Sequence, residues 1–195
     1  MVSGMISKKN ILFLAVCCLA MVSCQTYRAG DLLFHVASKG NAITDVTPGM
    51  IDHVAIVVSK DSVIEAVGRG VKTTPIDSLR RQEGYYLIGK VIGADRKASI
   101  NQARQYIGRA YDPLFLKDNE DIYCSELVQF SFVDNQGKTI FTPIPMSFHD
   151  ATGNITEYWK TFYEKRGLDV PEGEPGTNPS ELSQRENVKI TGRLR

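Results

Sequence analysis

Charge of one sign is what this chain has least of. Its 195 residues carry 23 Lys and Arg against 22 Asp and Glu, a net of +1. That balance argues against a generally basic nucleic-acid surface and gives no reason to expect an acidic partner. There is no internal repeat and no low-complexity tract. The one long apolar run is shorter than the ~20 residues a helix needs to cross a bilayer. Cysteine is scarce, with four in all, and no His/Cys cluster has zinc-ligand spacing, so neither a metal nor another cofactor is expected. An apolar fraction of 43% with 23% charged residues fits one globular domain of ordinary size preceded by a leader.

The leader is legible. Lys8 and Lys9 precede the apolar stretch from Ile11 to Val22, which runs into Ser23 and Cys24. A positive start, a short apolar run and small residues at its end describe a secretory signal peptide over residues 1–23. Met21-Val22-Ser23-Cys24 resembles the bacterial lipobox, although Met21 stands where Leu is more usual. Cleavage there leaves residues 24–195, with Cys24 lipidated and the domain held at a membrane of the cell envelope, as a periplasmic or outer-membrane lipoprotein. An ordinary secreted protein is the alternative. Cys17 and Cys18 leave with the leader and Cys24 is consumed by lipid, so Cys124 is the one free thiol of the mature chain. In an oxidising compartment it is either a reactive group or an inert buried side chain.

Hydropathy patterning places strands first and helices after. Ala29–Phe34 reads as a turn entering a strand, and residues 37–49 as a loop. Val54–Val58 is a β-branched run typical of a buried strand, with Val63–Val67 returning as its hairpin partner and Tyr86–Ile92 as another strand. Ile100, Ala103 and Ile107 lie at helical spacing, with Gly108 as the expected stop. Cys124, Leu127, Val128 and Ser131 form a second helical stripe. A third helix is expected over Ile155–Arg166, with Tyr158, Trp159, Phe162 and Tyr163 packing in the core rather than serving as a ligand platform. Residues 171–179 form a Pro/Gly-rich loop, either a lid or a surface connection. It leads into Asn178-Pro179-Ser180-Glu181, an N-cap with Pro at N1 and Glu at N3. The expected class is α+β: a small antiparallel sheet or barrel packed against helices.

The chemistry starts from the lone thiol. With a pKa of about 8.5, a free cysteine needs a base or a helix N-terminus to become a nucleophile. Cys124 stands at the expected start of a helix, while Asp121 and Glu126 oppose ionisation. A base is therefore required, and the candidates are His35, His53 and His149. His53 opens the buried strand, a position from which rigid scaffolds display reactive groups. Glu65, on the returning strand, can approach it in register and fix its tautomer; the alternative is a half-exposed edge strand with Glu65 in water.

Gly30–Phe34, Asp52–Ile56, Glu65, Gly108–Asp112 and Tyr123–Val128, in that order and spacing, resemble the YiiX-like family of permuted papain-fold proteins, relatives of NlpC-type cell-wall amidases and, more distantly, of lecithin retinol acyltransferases. Glu157–Trp159 and Val170–Pro179 resemble its carboxy-terminal portion, so the similarity spans roughly residues 28 to 190. The resemblance implies a circularly permuted papain-like fold in which the histidine precedes the cysteine. It places the catalytic set on Cys124, His53 and Glu65. Tyr111 matches a Tyr-Asp pair of the family, and Ala110 stands where Pro is frequent. The implied activity is a cysteine amidase or peptidase acting on a small amide, such as a cell-wall peptide or an N-acyl amino acid. The alternatives are a lipid hydrolase or acyltransferase with the same thiol chemistry, and a non-catalytic binding lipoprotein.

Overall fold

Val54, Ala55, Ile56 and Val57 can be apolar without interruption because both faces of their strand are covered. The computed structural model describes residues 27–117 and 119–194. The leader expected over 1–23 and the lipid attachment at Cys24 lie outside them. Five strands come early: β1 (Asp31–Val36), β2 (Ile51–Val57), β3 (Ser62–Val67), β4 (Gly70–Pro75) and, after the single turn α1 (Ile76–Leu79), β5 (Tyr85–Val91). The helices α2 (Arg96–Gln105) and α3 (Cys124–Ser131) follow, then β6 (Ile144–Pro145), α4 (Glu157–Glu164), β7 (Pro175–Gly176), α5 (Pro179–Gln184) and β8 (Val188–Arg193).

Six strands form one antiparallel sheet in the order β4-β3-β2-β1-β5-β8, and β6 pairs with β7 in a separate two-stranded ribbon. Alternation sorts the side chains. Leu32, Phe34, Val54, Ile56, Ile64 and Ala66 meet Leu127, Val128 and Phe132 from α3 and its end, with Leu182 of α5. Leu33, Ala55, Val57, Val63 and Ile88 form a second cluster closed by Ile76 and Leu79 of α1. A third, over the α4 side, gathers Met146, Phe148, Trp159 and Tyr163. The architecture is α+β, as expected, with a larger sheet than the sequence suggested.

Two features of this frame position the site. Register between β1 and β2 shifts by one residue where His35 pairs His53 and Val36 pairs Ile51, leaving Asp52 as the extra residue of a bulge. Bulges bend a strand and re-aim its neighbours. The edge strand β4 is tied to the segment after α2, Val71 donating to the Arg109 carbonyl and accepting from the Gly108 amide at 2.9 Å each. Helix α2 ends at Gln105 with Tyr106 as C-cap, earlier than the Gly108 stop expected from sequence, and Gly108 takes φ +94° in the turn beyond. Helix α4 is likewise shorter at both ends than expected, starting at a Thr156 N-cap that accepts from the Trp159 amide.

Candidate active site

Cys124 is the first residue of α3, where the helix leaves its leading N–H groups without intrahelical acceptors. The apolar stripe Leu127, Val128 seats the helix against β2 and β3, so its N-terminus is fixed relative to the start of β2. His53 stands there. Its imidazole lies close enough to the Cys124 side chain for the sulfur to raise its pKa. On its other side Nε2–H donates to Glu65 Oε2 at 2.9 Å, which leaves Nδ1 for the thiol. The β2–β3 register, Ile56 opposite Ile64 and Val57 opposite Val63, carried two residues on, sets Glu65 diagonal to His53, a separation that long side chains bridge. The three residues singled out from sequence are therefore one constellation.

Glu65 is only 3% exposed, which excludes the reading of a carboxylate in water. Its second oxygen, Oε1, accepts from Thr74 Oγ1 at 2.6 Å. Burial alone would raise its pKa. The His53 hydrogen bond and charge, with the Thr74 bond, outweigh it and hold the group below the ordinary carboxylate range. Thr74 was not legible as a site residue; it lies on β4, a strand the hydropathy pattern does not reveal. Burial pushes the His53 pKa down, but the Cys124 hydrogen bond and then Glu65 reverse this and bring it up to about 10. These interactions favour the protonated imidazole, and an imidazolium beside a thiol favours thiolate.

Glu126 behaves differently from expectation. It accepts from the Tyr123 amide at 3.4 Å, closing the helix start, and burial foremost, with the Asp112 charge adding, raises its pKa to about 8. Much of the negative charge expected to oppose the thiolate is therefore absent at neutral pH. His35 and His149 are accounted for otherwise. His35 Nδ1 meets Asp52 Oδ1 at 2.6 Å and its Nε2 meets the Glu83 carbonyl at 2.7 Å, while His149 pairs with Glu172 at 3.1 Å.

Beside Cys124 opens a cavity that is partly continuous with solvent. Its walls are Ile43, Val46, Phe115, Met146, Phe148 and Trp159, and Tyr111 lines it near the thiol. Three tethers hold these walls: Trp159 Nε1 donates to the Ala42 carbonyl at 3.1 Å, Tyr163 Oη to the Leu114 carbonyl at 2.8 Å, and Ser180 Oγ to the Pro48 carbonyl. Trp159 and Tyr163 are therefore buried packing, as expected, with Trp159 a cavity wall as well, whereas Phe162 is only partly buried and Tyr158, expected in the core, is 54% exposed on the outer face of α4. The Pro/Gly-rich loop also resolves. Its end pairs with β6 and turns into α5, so that Thr177, Asn178 and Pro179 line the cavity. The Asn178 side chain caps α5 as the sequence indicated, accepting from Glu181 N at 2.7 Å. Asp112 organises the opposite wall: its carboxylate accepts from the amides of Leu114 and Leu116 and from Asn119 Nδ2, and holds Phe115 at φ +50°. A thiol, an imidazole, a buried carboxylate behind it and an apolar-walled cavity are the parts an acyl-transfer site needs.

Residues 26–190 match the model of a family described as permuted papain-like amidase enzyme, YaeF/YiiX. A curated relative, the uncharacterized protein YiiX of Escherichia coli (strain K12), is 31% identical over 112 residues, 52% of this chain and 55% of the relative. The match thus spans little more than half of that protein's length. Among solved structures, the crystal structure of yiiX from Escherichia coli O157:H7, described as a metalloprotein, superposes with a TM-score of 0.69 at 23% identity, covering 86% of this chain and 97% of that one. That likeness is one of fold. Among the described residues no three His, Cys, Asp or Glu side chains gather in a way that could hold a metal ion.

Proposed function

The chain belongs to the YaeF/YiiX family of permuted papain-like amidases, and on that premise we propose that it is a cysteine hydrolase cleaving a small amide, such as a cell-wall peptide or an N-acyl amino acid, with Cys124 as nucleophile, His53 as base and acid, and Glu65 as the orienting carboxylate. The observation that carries this reading is the buried Glu65–His53 pair set against the thiol at the start of α3.

The Cys124 thiolate attacks the amide carbonyl carbon; a C–S bond forms and the π electrons move onto oxygen. The N–H groups at the helix start, that of Cys124 foremost, stabilise this oxyanion. Collapse breaks the C–N bond as the His53 imidazolium passes its proton to the leaving amine. A thioester remains, with His53 neutral. Water then gives a proton to His53 and attacks the thioester; collapse expels the thiolate and releases the acid, restoring the starting ion pair. Glu65 stays ionised throughout and holds the imidazole in one orientation. An alcohol or amine in place of water would make the same thioester an acyl donor. A lipid on Cys24 would keep this chemistry at an envelope membrane.

Matched amide and ester pairs of N-acyl amino acids, read by product release and by intact mass, test the proposal. The expected result is amide cleavage with an acyl adduct on Cys124. Cys124→Ser and His53→Ala should each reduce turnover by about 10⁴-fold or more, the scale seen when a nucleophile or its base is removed. Cleavage that survives C124S, or binding of the whole panel without turnover or adduct, would contradict it.

A further inference from the structure

The cavity beside Cys124 carries polar groups that its own architecture does not use. Five of its polar side chains are engaged: Thr47 Oγ1 donates to the Ile43 carbonyl, Asp52 is held by His35 and Asn41, Ser147 Oγ meets His149, Asn178 caps α5, and Tyr123 Oη accepts from the Thr177 amide. Two fully buried hydroxyls are not. Ser125 Oγ and Thr177 Oγ1 have no hydrogen-bond partner, although the residues are only 1% and 4% exposed, and both line the cavity. They come from separate elements, Ser125 from the first turn of α3 next to the nucleophile and Thr177 from the strand-to-helix turn after β7. Native structures rarely leave buried hydroxyls unmatched, and those that persist call for a reason.

The rest of the lining is aliphatic and aromatic, and its one carboxylate, Asp52, is neutralised by His35. A charged group entering there would be desolvated without compensation. We propose that this cavity receives an apolar side chain, aromatic or branched, and that Ser125 and Thr177 hydrogen-bond to a second amide flanking the scissile one. A hydroxyl both donates and accepts, and an amide offers both functions. The inference rests on the cysteine-hydrolase reading and narrows its substrate to a peptide-like chain bearing an apolar residue at the cleavage point.

Alkylation of Cys124 tests this without knowledge of the natural substrate. In each case the thiolate forms a C–S bond, the C–I bond breaks and iodide leaves. Four reagents separate the features: iodoacetamide, N-iodoacetyl-phenethylamine with the apolar group alone, iodoacetyl-phenylalanine methylamide with the second amide added, and iodoacetyl-aspartate methylamide with a charge in place of the ring. Rates are normalised to iodoacetamide within each variant, so that the preference reads the cavity alone. The phenylalanine reagent should be preferred about tenfold or more over the phenethyl one, since sites built to hydrogen-bond reject analogues lacking the partner group. The aspartate reagent should gain nothing over iodoacetamide. Ser125→Ala and Thr177→Val should each cut the phenylalanine preference by about tenfold, a loss of one hydrogen bond, while Thr177→Ser retains it. Neither variant should lower the melting temperature, because each removes an unmatched hydroxyl. Alkylation by iodoacetamide with no preference among the reagents, or a preference unaltered in both variants, would overturn the inference and leave the hydrolase reading standing. A Cys124 inert to all four in the folded protein would overturn both.

Discussion

Glu65 has two oxygens and both are used, one by His53 and one by Thr74. The second contact is the more instructive, because Thr74 touches no reacting atom. Thr74→Val keeps the side-chain volume but leaves a buried carboxylate oxygen without a donor, a loss of about 1–3 kcal/mol. Urea unfolding should register that loss. The Glu65 pKa should also rise, since the Thr74 bond is one of the causes that lower it; an unchanged unfolding midpoint would mean that the carboxylate finds water instead. Asp112 is a comparable residue on the far wall. Its carboxylate gathers three donors around the left-handed Phe115, a conformation costing a non-glycine residue roughly 1–2 kcal/mol. Asp112→Ala should destabilise the protein by about 2–4 kcal/mol through the loss of charge-assisted hydrogen bonds. It should also slow Cys124 acylation by releasing Tyr111 and Phe115 from the cavity wall.

At the scale of elements, the contacts between β4 and the turn after α2 carry the wall containing Tyr111. Gly70 sits at φ +90°, and a Cβ there would run into the Arg109 carbonyl oxygen. Gly70→Ala should therefore lower the melting temperature by several degrees or more, through backbone strain and a parted edge. An unchanged melting curve would show the turn to be soft. Strand β4 is also where sequence reading fell short. Val71-Lys72-Thr73-Thr74 shows little apolar content to mark a strand, and it is recruited by pairing with β3 and capped by the Arg109 carbonyl. The short pairs β6 and β7, and the terminal β8 with Lys189 and Thr191 among its residues, escaped for the same reason: partners, not local pattern, make them strands. By contrast β2, β3 and α3 carry their periodicity openly, and Asn178-Pro179 announced α5. Cys124, His53 and Glu65 could be picked out together because the family resemblance falls on them, each standing at the end or middle of such an element. Thr74, Ser125 and Thr177 were not, because a hydroxyl's partners are visible only once the chain has folded around it.

The molecule as a whole couples its stability to pH through these pairs. Glu65 and Asp52 both have folded pKa values below the ordinary carboxylate range, against the opposing effect of burial, because His53 and His35 hold them. Their contribution is fully present above the unfolded value of about 4 and is lost as pH falls through the depressed folded values. His35 runs the other way. The Asp52 hydrogen bond raises its pKa against burial, so its contribution is full below about 6.5 and fades as pH rises through the raised value. Since His35 and Asn41 together fix Asp52 beneath the loop of residues 37–49, that loop should loosen on the alkaline side. His35→Gln should make the decline in melting temperature between about pH 6.5 and 9 shallower, the remainder belonging to His53, whose pKa is raised as well; an equally steep decline in the variant would assign it to another group.

The central claim is that Cys124 and His53 form an ion pair in the resting protein. The rate of iodoacetamide alkylation at Cys124, followed against pH by intact mass, tests it most directly. An imidazolium–thiolate pair predicts alkylation already fast at neutral pH, with little further gain as the solution is made alkaline. A rate climbing about tenfold per pH unit toward a midpoint near 8.5, the behaviour of an unactivated thiol, would contradict it.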